Sequence, residues 1–345
     1  MMKRRLPAEW EPQSGIMLTW PHENTGWSKM LPTVEPTFAE IAARASEFEK
    51  VLIVAKDATH QTHIVDSIKK HNPVASSLKF AFAGSNDSWA RDHGPISIID
   101  DEGDLLLLDF EFNGWGNKYP SELDNEITQS LVSQHCFSPP TWSTDFILEG
   151  GSIESDGEGT LLTTSCLLTT SRNEGWTKEQ IENELTEQFN LKQVHWLHQG
   201  HLQGDDTDAH IDTLARFITP HKIMYARCDD RNDPHYQPLL DMEQELASLR
   251  TLDGKPYQLI PLPLPEAVFN EDGDRLPATY ANFLIINDAV LLPIYNQAAD
   301  EQVMEIFRNH FSDRKIIPIN CLPLIEQFGS LHCVTMQFPE GVLVG

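Results

Sequence analysis

Phe283-Leu284-Ile285-Ile286-Asn287-Asp288-Ala289-Val290-Leu291-Leu292-Pro293-Ile294-Tyr295 reads as two apolar β runs around a polar Asn287-Asp288 turn, the pattern of a β-hairpin. The plan recurs along the chain. Ile96–Phe112 reads as strand, a turn over Asp100-Asp101-Glu102-Gly103-Asp104, and strand. Phe146–Leu168 holds an apolar run, a turn at Asp156-Gly157-Glu158-Gly159, then Thr160-Leu161-Leu162-Thr163-Thr164. His332–Val344 reads as strand, a turn at Pro339-Glu340-Gly341, and strand. Between these units, Glu35–Glu49, Gln61–Lys70, Thr177–Phe189, Pro238–Leu252 and Asp300–Phe311 space apolar residues against charged faces, as helices do. Pro238 suits a first helical turn, where its missing N–H is not needed. Thr177, with Glu179 and Gln180 behind it, marks a helix start capped by Thr177 or Trp176. Hairpins alternating with helices fit a plain doubly wound sheet poorly. A radial, propeller-like α/β repeat fits them better. No Gly/Ser-rich or low-complexity stretch divides the chain, so residues 1–345 are expected to form a single domain.

The composition is that of a globular protein, 40% hydrophobic and 22% charged. Its balance is strongly acidic: 25 Lys and Arg against 52 Asp and Glu give a net charge of −27. Such a field repels nucleic acid and anionic membranes and draws in cations. It accords with solubility alone or with a small cationic substrate. Five scattered cysteines, Cys136, Cys166, Cys228, Cys321 and Cys333, contain no CxxC pair. That argues against a zinc ribbon, a dithiol redox motif and a disulfide framework. Met1-Met2-Lys3-Arg4-Arg5 imitates the start of a leader, but Pro7-Ala8-Glu9-Trp10-Glu11-Pro12 follows where an apolar stretch would have to lie. No run approaches the roughly 18 apolar residues of a membrane span. A cytoplasmic protein is expected.

Four segments carry chemistry. Asn86–Pro95 packs Asp87, Trp89, Arg91, Asp92 and the Gly94-Pro95 turn into ten residues. Arg91 paired to a carboxylate beside a buried Trp89 would explain it structurally; Asp92 gripping a cation would explain it functionally. Leu148-Glu149-Gly150-Gly151-Ser152 sets a carboxylate before paired glycines, which permit close backbone approach. In Gly204–Phe217, an extended chain would put Asp206, Asp208, His210 and Asp212 on one face. Four polar groups so arrayed could hold a divalent metal or a cationic ligand. Phe328–Gln337 carries Cys333; a lone strand cysteine is commonly a small buried hydrophobe, and beside His210 and Asp212 it could be a nucleophile.

Taken in order, Trp89-x-Arg91-Asp92-x-Gly94-Pro95, Glu149-Gly150-Gly151, His210-x-Asp212 and His332-Cys333 resemble the guanidino-group-modifying superfamily. The closer resemblance is to the agmatine deiminases, grouped with the bacterial peptidyl-arginine deiminases. Pro7-x-Glu9-Trp10-x-Pro12, Trp20-Pro21, Trp27, Phe112-Asn113-Gly114-Trp115-Gly116 and Asp156-Gly157-Glu158-Gly159-Thr160 extend it over nearly the whole chain. The resemblance implies a five-bladed α/β propeller, the pentein fold, and hydrolysis of a guanidinium to a ureido group and ammonia without metal or organic cofactor. It implies Cys333 as nucleophile, His210 as general acid and base, Asp92 and Asp212 as holders of the guanidinium, and Glu149 either orienting His210 or touching substrate. Candidate substrate contacts are Trp89, Asp87, Trp115, Asp208 and Asp206. The implied partner is a small cationic guanidino compound such as agmatine, with a homo-oligomer plausible. Departures from the family's pattern fall at Phe328-Gly329-Ser330-Leu331, at Thr213 and at Asn113–Asn117, and leave the four reacting positions intact. Deimination of peptidyl-arginine, a metal-dependent hydrolase built on Asp206, Asp208, His210 and Asp212, and a non-enzymatic binding module are the competing readings. Lys118, Arg172 and Arg216 are the cations that could receive a substrate carboxylate.

Overall fold

A computed structural model describes residues 4–169 and 171–344; the Met1-Met2-Lys3 start of the leader-like stretch lies outside them. The α/β alternation expected from the sequence is present, in five separate sheets. Four of them share one plan. An antiparallel hairpin is followed by a helix, and the helix returns the chain to a third strand parallel to the hairpin's second. The first sheet sets Ile96–Asp100 against Leu105–Glu111, then Thr141–Ile147 after the helix Ile127–Ser133. The second uses Ile153–Ser155, Thr160–Thr164 and, after Lys178–Phe189, Gln193–Leu197. The third uses Ala215–Thr219, Lys222–Arg227 and, after Tyr236–Ser248, Gln258–Pro263. The fourth uses Leu284–Ile286, Ala289–Ile294 and, after Ala299–His310, Lys315–Asn320.

The fifth sheet joins the two ends of the fold. Thr335–Pro339 pairs antiparallel with Gln13–Thr19, which runs parallel to Lys50–Ala55, and that strand parallel to Leu78–Phe82. This corrects the reading of His332–Val344 as a hairpin. The strand takes its partner from the N-terminal region, and Leu343 makes only an isolated bridge to Phe137. A hairpin that the sequence reading did not name, Ala215–Arg227, turns at Pro220-His221 without an Asp-Gly signal. Phe146 belongs to the third strand of the first sheet and not to the second hairpin.

Each long helix buries one stripe and leaves the other faces wet. Ile181, Leu185 and Phe189 form that stripe in Lys178–Phe189. Its start is the predicted one: the Thr177 hydroxyl accepts from the Gln180 N–H and the Gln180 side chain accepts from the Thr177 N–H, a reciprocal cap. Thr177→Ala would cost about 1 kcal/mol. The first helix begins at Leu31, earlier than Glu35, because Pro32 sits in its first turn, where proline is tolerated. Among the described residues no helix is long and apolar enough to cross a membrane.

Candidate active site

Every hairpin, and the C-terminal strand, is preceded by a short turn that delivers a polar residue to one cluster. Asp92 lies in the turn Ala90–His93 before Ile96–Asp100. Glu149 and Gly151 flank the start of the 3-10 turn before Ile153–Ser155. His210 and Asp212 belong to the turn Ile211–Thr213 and its cap before Ala215–Thr219. Asn282 stands before Leu284–Ile286, and Cys333 before Thr335–Pro339. All are buried. Their convergence is close enough that a Cβ on Gly151 would lie 2.6 Å from His210 Nδ1, 2.9 Å from Asp92 Oδ1 and 3.2 Å from Asp212 Oδ2.

The turn that carries His210 and Asp212 corrects the extended alternation. Asp208 and Ala209 have φ of 65° and 69°, and Ile211–Thr213 is helical. Asparagine, aspartate and glycine tolerate that left-handed region; alanine does so at a cost. His210 and Asp212 still meet, but Asp206 and Asp208 are directed elsewhere. Asp208 binds Arg172 Nη1 at 2.8 Å and Lys118 Nζ at 3.1 Å. Asp206 pairs with the Tyr119 hydroxyl and lies 3.6 Å from Lys118 Nζ. Among the described residues no three His, Cys, Asp or Glu side chains gather as a metal site, so the four-residue metal set is not assembled.

The electrostatics of the cluster follow from burial and neighbours. Burial opposes charge on the His210 ring, but Asp92 at 3.7 Å and Glu149 at 3.4 Å outweigh it and raise its pKa to about 9. Burial, with the charges of Asp212 and Glu149, lifts Asp92 to about 6 against the pull of His210. Asp92 accepts from the Trp115 indole at 2.9 Å and from the Gly151 N–H at 3.0 Å. Burial would raise Asp212, yet His332, His210 and Arg216 hold it below the ordinary carboxylate range. Burial, then the anions Asp212 and Asp92, push the Cys333 thiol well above its usual value. Glu149 is clamped by Arg172 Nε at 2.8 and 2.9 Å, beneath His210. Neither ring nitrogen of His210 has a hydrogen-bond partner, and neither does Asp212 Oδ1.

A cleft of about 560 Å³ opens over Cys333 and Asp92. Trp89, Asp87, Trp115 and Asp206 line it; Asp208 does not, being committed to Arg172 and Lys118. Glu149, His210 and Asp212 are not in its wall either; of the expected reacting residues only Cys333 and Asp92 reach it. Glu326 adds a third carboxylate to the rim, and no Lys or Arg lines the cleft among the described residues. The three cations considered for a substrate carboxylate are all occupied: Arg172 by Glu149 and Asp208, Lys118 by Asp208, Arg216 by Glu9 and Glu154. Trp115 and Phe328, on the cleft wall, both have positive φ, 55° and 68°, strain of the kind that collects at ligand sites.

Asn282 was missed by the sequence reading. Its Oδ1 accepts from the His332 N–H at 2.9 Å and the Cys333 N–H at 3.3 Å, and lies 3.4 Å from the Cys333 sulfur; its Nδ2 donates to the Asp212 carbonyl at 3.2 Å. The signal was positional. Its neighbours in the cluster each stand just before a first strand, and Asn282 holds that position before the hairpin Phe283–Tyr295.

The sequence matches the model of the Porphyromonas-type peptidyl-arginine deiminase family over residues 5–339. A solved structure named "Putative Arginine Deiminase" from Porphyromonas gingivalis is 45% identical, with a TM-score of 0.92, covering 99% of this chain and 100% of that one. A Cys-to-Ser variant of C. jejuni agmatine deiminase with substrate bound is 39% identical, with a TM-score of 0.91, covering 98% and 97%. A Latilactobacillus sakei protein named "Putative agmatine deiminase" is 31% identical over 98% of this chain and 96% of its own length.

Proposed function

The chain belongs to the Porphyromonas-type peptidyl-arginine deiminase family, and from that membership we propose that it hydrolyses agmatine to N-carbamoylputrescine and ammonia. The observation that carries the reading is the cleft: Cys333 and Asp92 at its floor, acidic side chains at its rim, and no cation in its wall. Agmatine is a dication with no carboxylate, so both of its ends meet anions. Free arginine would bring a carboxylate to Asp87, Asp206 and Glu326, and an arginyl peptide would offer them a neutral amide.

In this reading Asp92 and Asp212 grip the guanidinium N–H groups, which sets its carbon over the Cys333 sulfur. The bound cation offsets the two anions that hold the thiol proton, and sulfur attacks carbon as thiolate. The C–S bond forms, His210 as imidazolium protonates the departing amino group, and the C–N bond breaks. The thiol's proton leaves with that group, which departs as ammonium, the protonated form of the ammonia product, and His210 is left neutral. A thiouronium remains on Cys333. Neutral His210 then takes a proton from water as its oxygen attacks the same carbon, and the C–S bond breaks to give the ureido product and free Cys333. Glu149, clamped by Arg172, orients His210 and does not touch substrate. The five sheets are taken as the blades of a five-bladed α/β propeller, the pentein fold, in a single catalytic domain. The meeting of the N- and C-terminal strands in one sheet supports that arrangement.

The test is product formation from agmatine, free arginine and an arginyl peptide, with and without thiol alkylation. Ureido product from agmatine alone, abolished by alkylation and by Cys333→Ala, is expected. Turnover of arginine or peptide in its place would replace the substrate, and an active Cys333→Ala would overturn the mechanism.

A further inference from the structure

Asp92, Gly151 and Cys333 belong to the site; the residues just before them, Arg91, Gly150 and His332, line a separate small cavity of about 60 Å³ together with Glu9 and Glu154. His332 bridges the two. Its Nδ1 lies 2.8 Å from Asp212 Oδ2 and its Nε2 lies 2.7 Å from Glu9 Oε2. Contacts that short between a ring nitrogen and a carboxylate oxygen each need a hydrogen between them, so the two carboxylates hold a proton on a ring whose pKa burial and the Arg216 and Arg91 charges push down. Glu9 is itself fixed, by the Ile285 N–H at 2.7 Å and by Arg216 Nη2 at 2.8 Å. One oxygen of Asp212 is thereby committed to His332, and the other, Oδ1, is buried with no hydrogen-bond partner. A buried carboxylate oxygen left bare is costly; Oδ2 also lies 3.8 Å from the Cys333 sulfur, which sets the carboxylate beside the reacting atom, where a guanidinium N–H is the donor that deimination would supply to Oδ1.

We propose that His332, anchored by Glu9, is a positioning residue for the deimination: it fixes Asp212 as an anion with Oδ1 presented to the guanidinium. The proposal rests on the deiminase reading above. It gives a role to Pro7-x-Glu9-Trp10-x-Pro12, whose Glu9 reaches His332 across 323 residues of sequence. The charged and titratable groups facing the pair are Arg91, Arg216 and Glu154 on the cavity side and His210, Asp92 and Cys333 on the site side. Removing the Nδ1 donor takes away the interaction that favours the ionised form of Asp212. Its protonation then moves up in pH, and guanidinium binding fails at a pH where the parent still binds.

Two amides separate positioning from mere filling of space. In His332→Asn the amide nitrogen superposes on Nδ1 and keeps the bond to Asp212. In His332→Gln the longer side chain reaches Glu9 and leaves Asp212 without its donor. The experiment is calorimetric binding of methylguanidine, between about pH 5 and 8 around the Asp92 transition, to the Cys333→Ala protein and to that protein carrying each amide. Affinity within a few-fold of the parent is expected for His332→Asn. A loss of about ten- to a hundredfold is expected for His332→Gln, the size of a hydrogen bond to a charged group, with its acid limb displaced to higher pH. Equal affinities and equal limbs for the two amides would overturn the proposal. Should an amide variant not fold, the ring N–H proton of His332 in the Cys333→Ala protein reads the same coupling by NMR. It is expected to shift when methylguanidine binds, and a binding event that leaves it unmoved overturns the proposal. Agmatine turnover by the unaltered chain is measured alongside. Its absence, with the Asn–Gln contrast intact, removes agmatine as substrate and leaves the role of His332 standing; failure of methylguanidine to bind removes both.

Discussion

Burial and the anions Asp212 and Asp92 push the Cys333 thiol upward, so in the proposed mechanism it depends on the arriving cation to react as a thiolate. Two groups then set the pH range of activity. In the proposed mechanism Asp92 has to be ionised to hold the guanidinium, and its ability is lost as pH falls through about 6. In the same mechanism His210 has to carry a proton for the leaving amino group, and that proton is lost as pH rises through about 9. A bell-shaped kcat/KM for agmatine, with limbs near those two values, is the expected profile in a stopped ammonia assay. Asp212→Asn keeps the shape of the side chain and removes the charge. It is expected to lower kcat/KM by at least about a hundredfold, since a charge-assisted contact to the reacting group is worth about 3 kcal/mol, while circular dichroism stays native. An Asp212→Asn enzyme of near-parental activity would count against the guanidinium grip. The residues proposed to react stand out in the sequence because each carries chemistry uncommon at its place, as with Asp and His packed into Gly204–Phe217. Asn282 does not, because an asparagine before a strand has no distinctive chemistry until its partners are known.

Among the elements, the turns that precede the first strands do most to shape the site. At Gly151, in one of them, any Cβ would crowd His210, Asp92 and Asp212 together. Gly151→Ala should fold, the clash being confined to side chains, but lose about a hundredfold or more of kcat, an effect of misplacing reactive groups by a fraction of an ångström. Parental kcat in a folded Gly151→Ala protein would show that the cluster can spread. At this scale the hairpins with Asp-Gly or Asn-Asp turns were readable, and so were the amphipathic helices, from their spacing. Two features were hidden for physical reasons. The Pro220-His221 turn lacks the residues that favour left-handed φ, and the run from Gly204 to Asp212 alternates like a strand while its Asp208 and Ala209 adopt left-handed backbone. Local pattern does not report such a bend.

Over the whole molecule, a buried ionic network ties the first residues of the fold to the last. Glu9 joins Arg216 at 2.8 Å and His332 at 2.7 Å, and Arg216 also holds Glu154 at 2.7 Å. Glu9→Ala strands Arg216 in the interior beside Glu154 alone and should cost about 3–5 kcal/mol of stability, read from urea denaturation. A loss under about 1 kcal/mol, the range of an exposed pair, would mean that the network is dispensable. The sequence suggested the α/β repeat and the acid balance. It did not reveal which strand completes the fifth sheet, because pairing between segments so far apart leaves no local trace.

That late pairing has a consequence for how the protein is made. A ribosome lays down Gln13–Thr19 early and Thr335–Pro339 only after the other four sheets have been translated. Throughout that interval the first-made strand lacks one neighbour, and Cys333 does not yet exist. A nascent chain can therefore fold much of its structure before it holds the cysteine proposed as its nucleophile, and it gains that residue and its closing strand in a single late event.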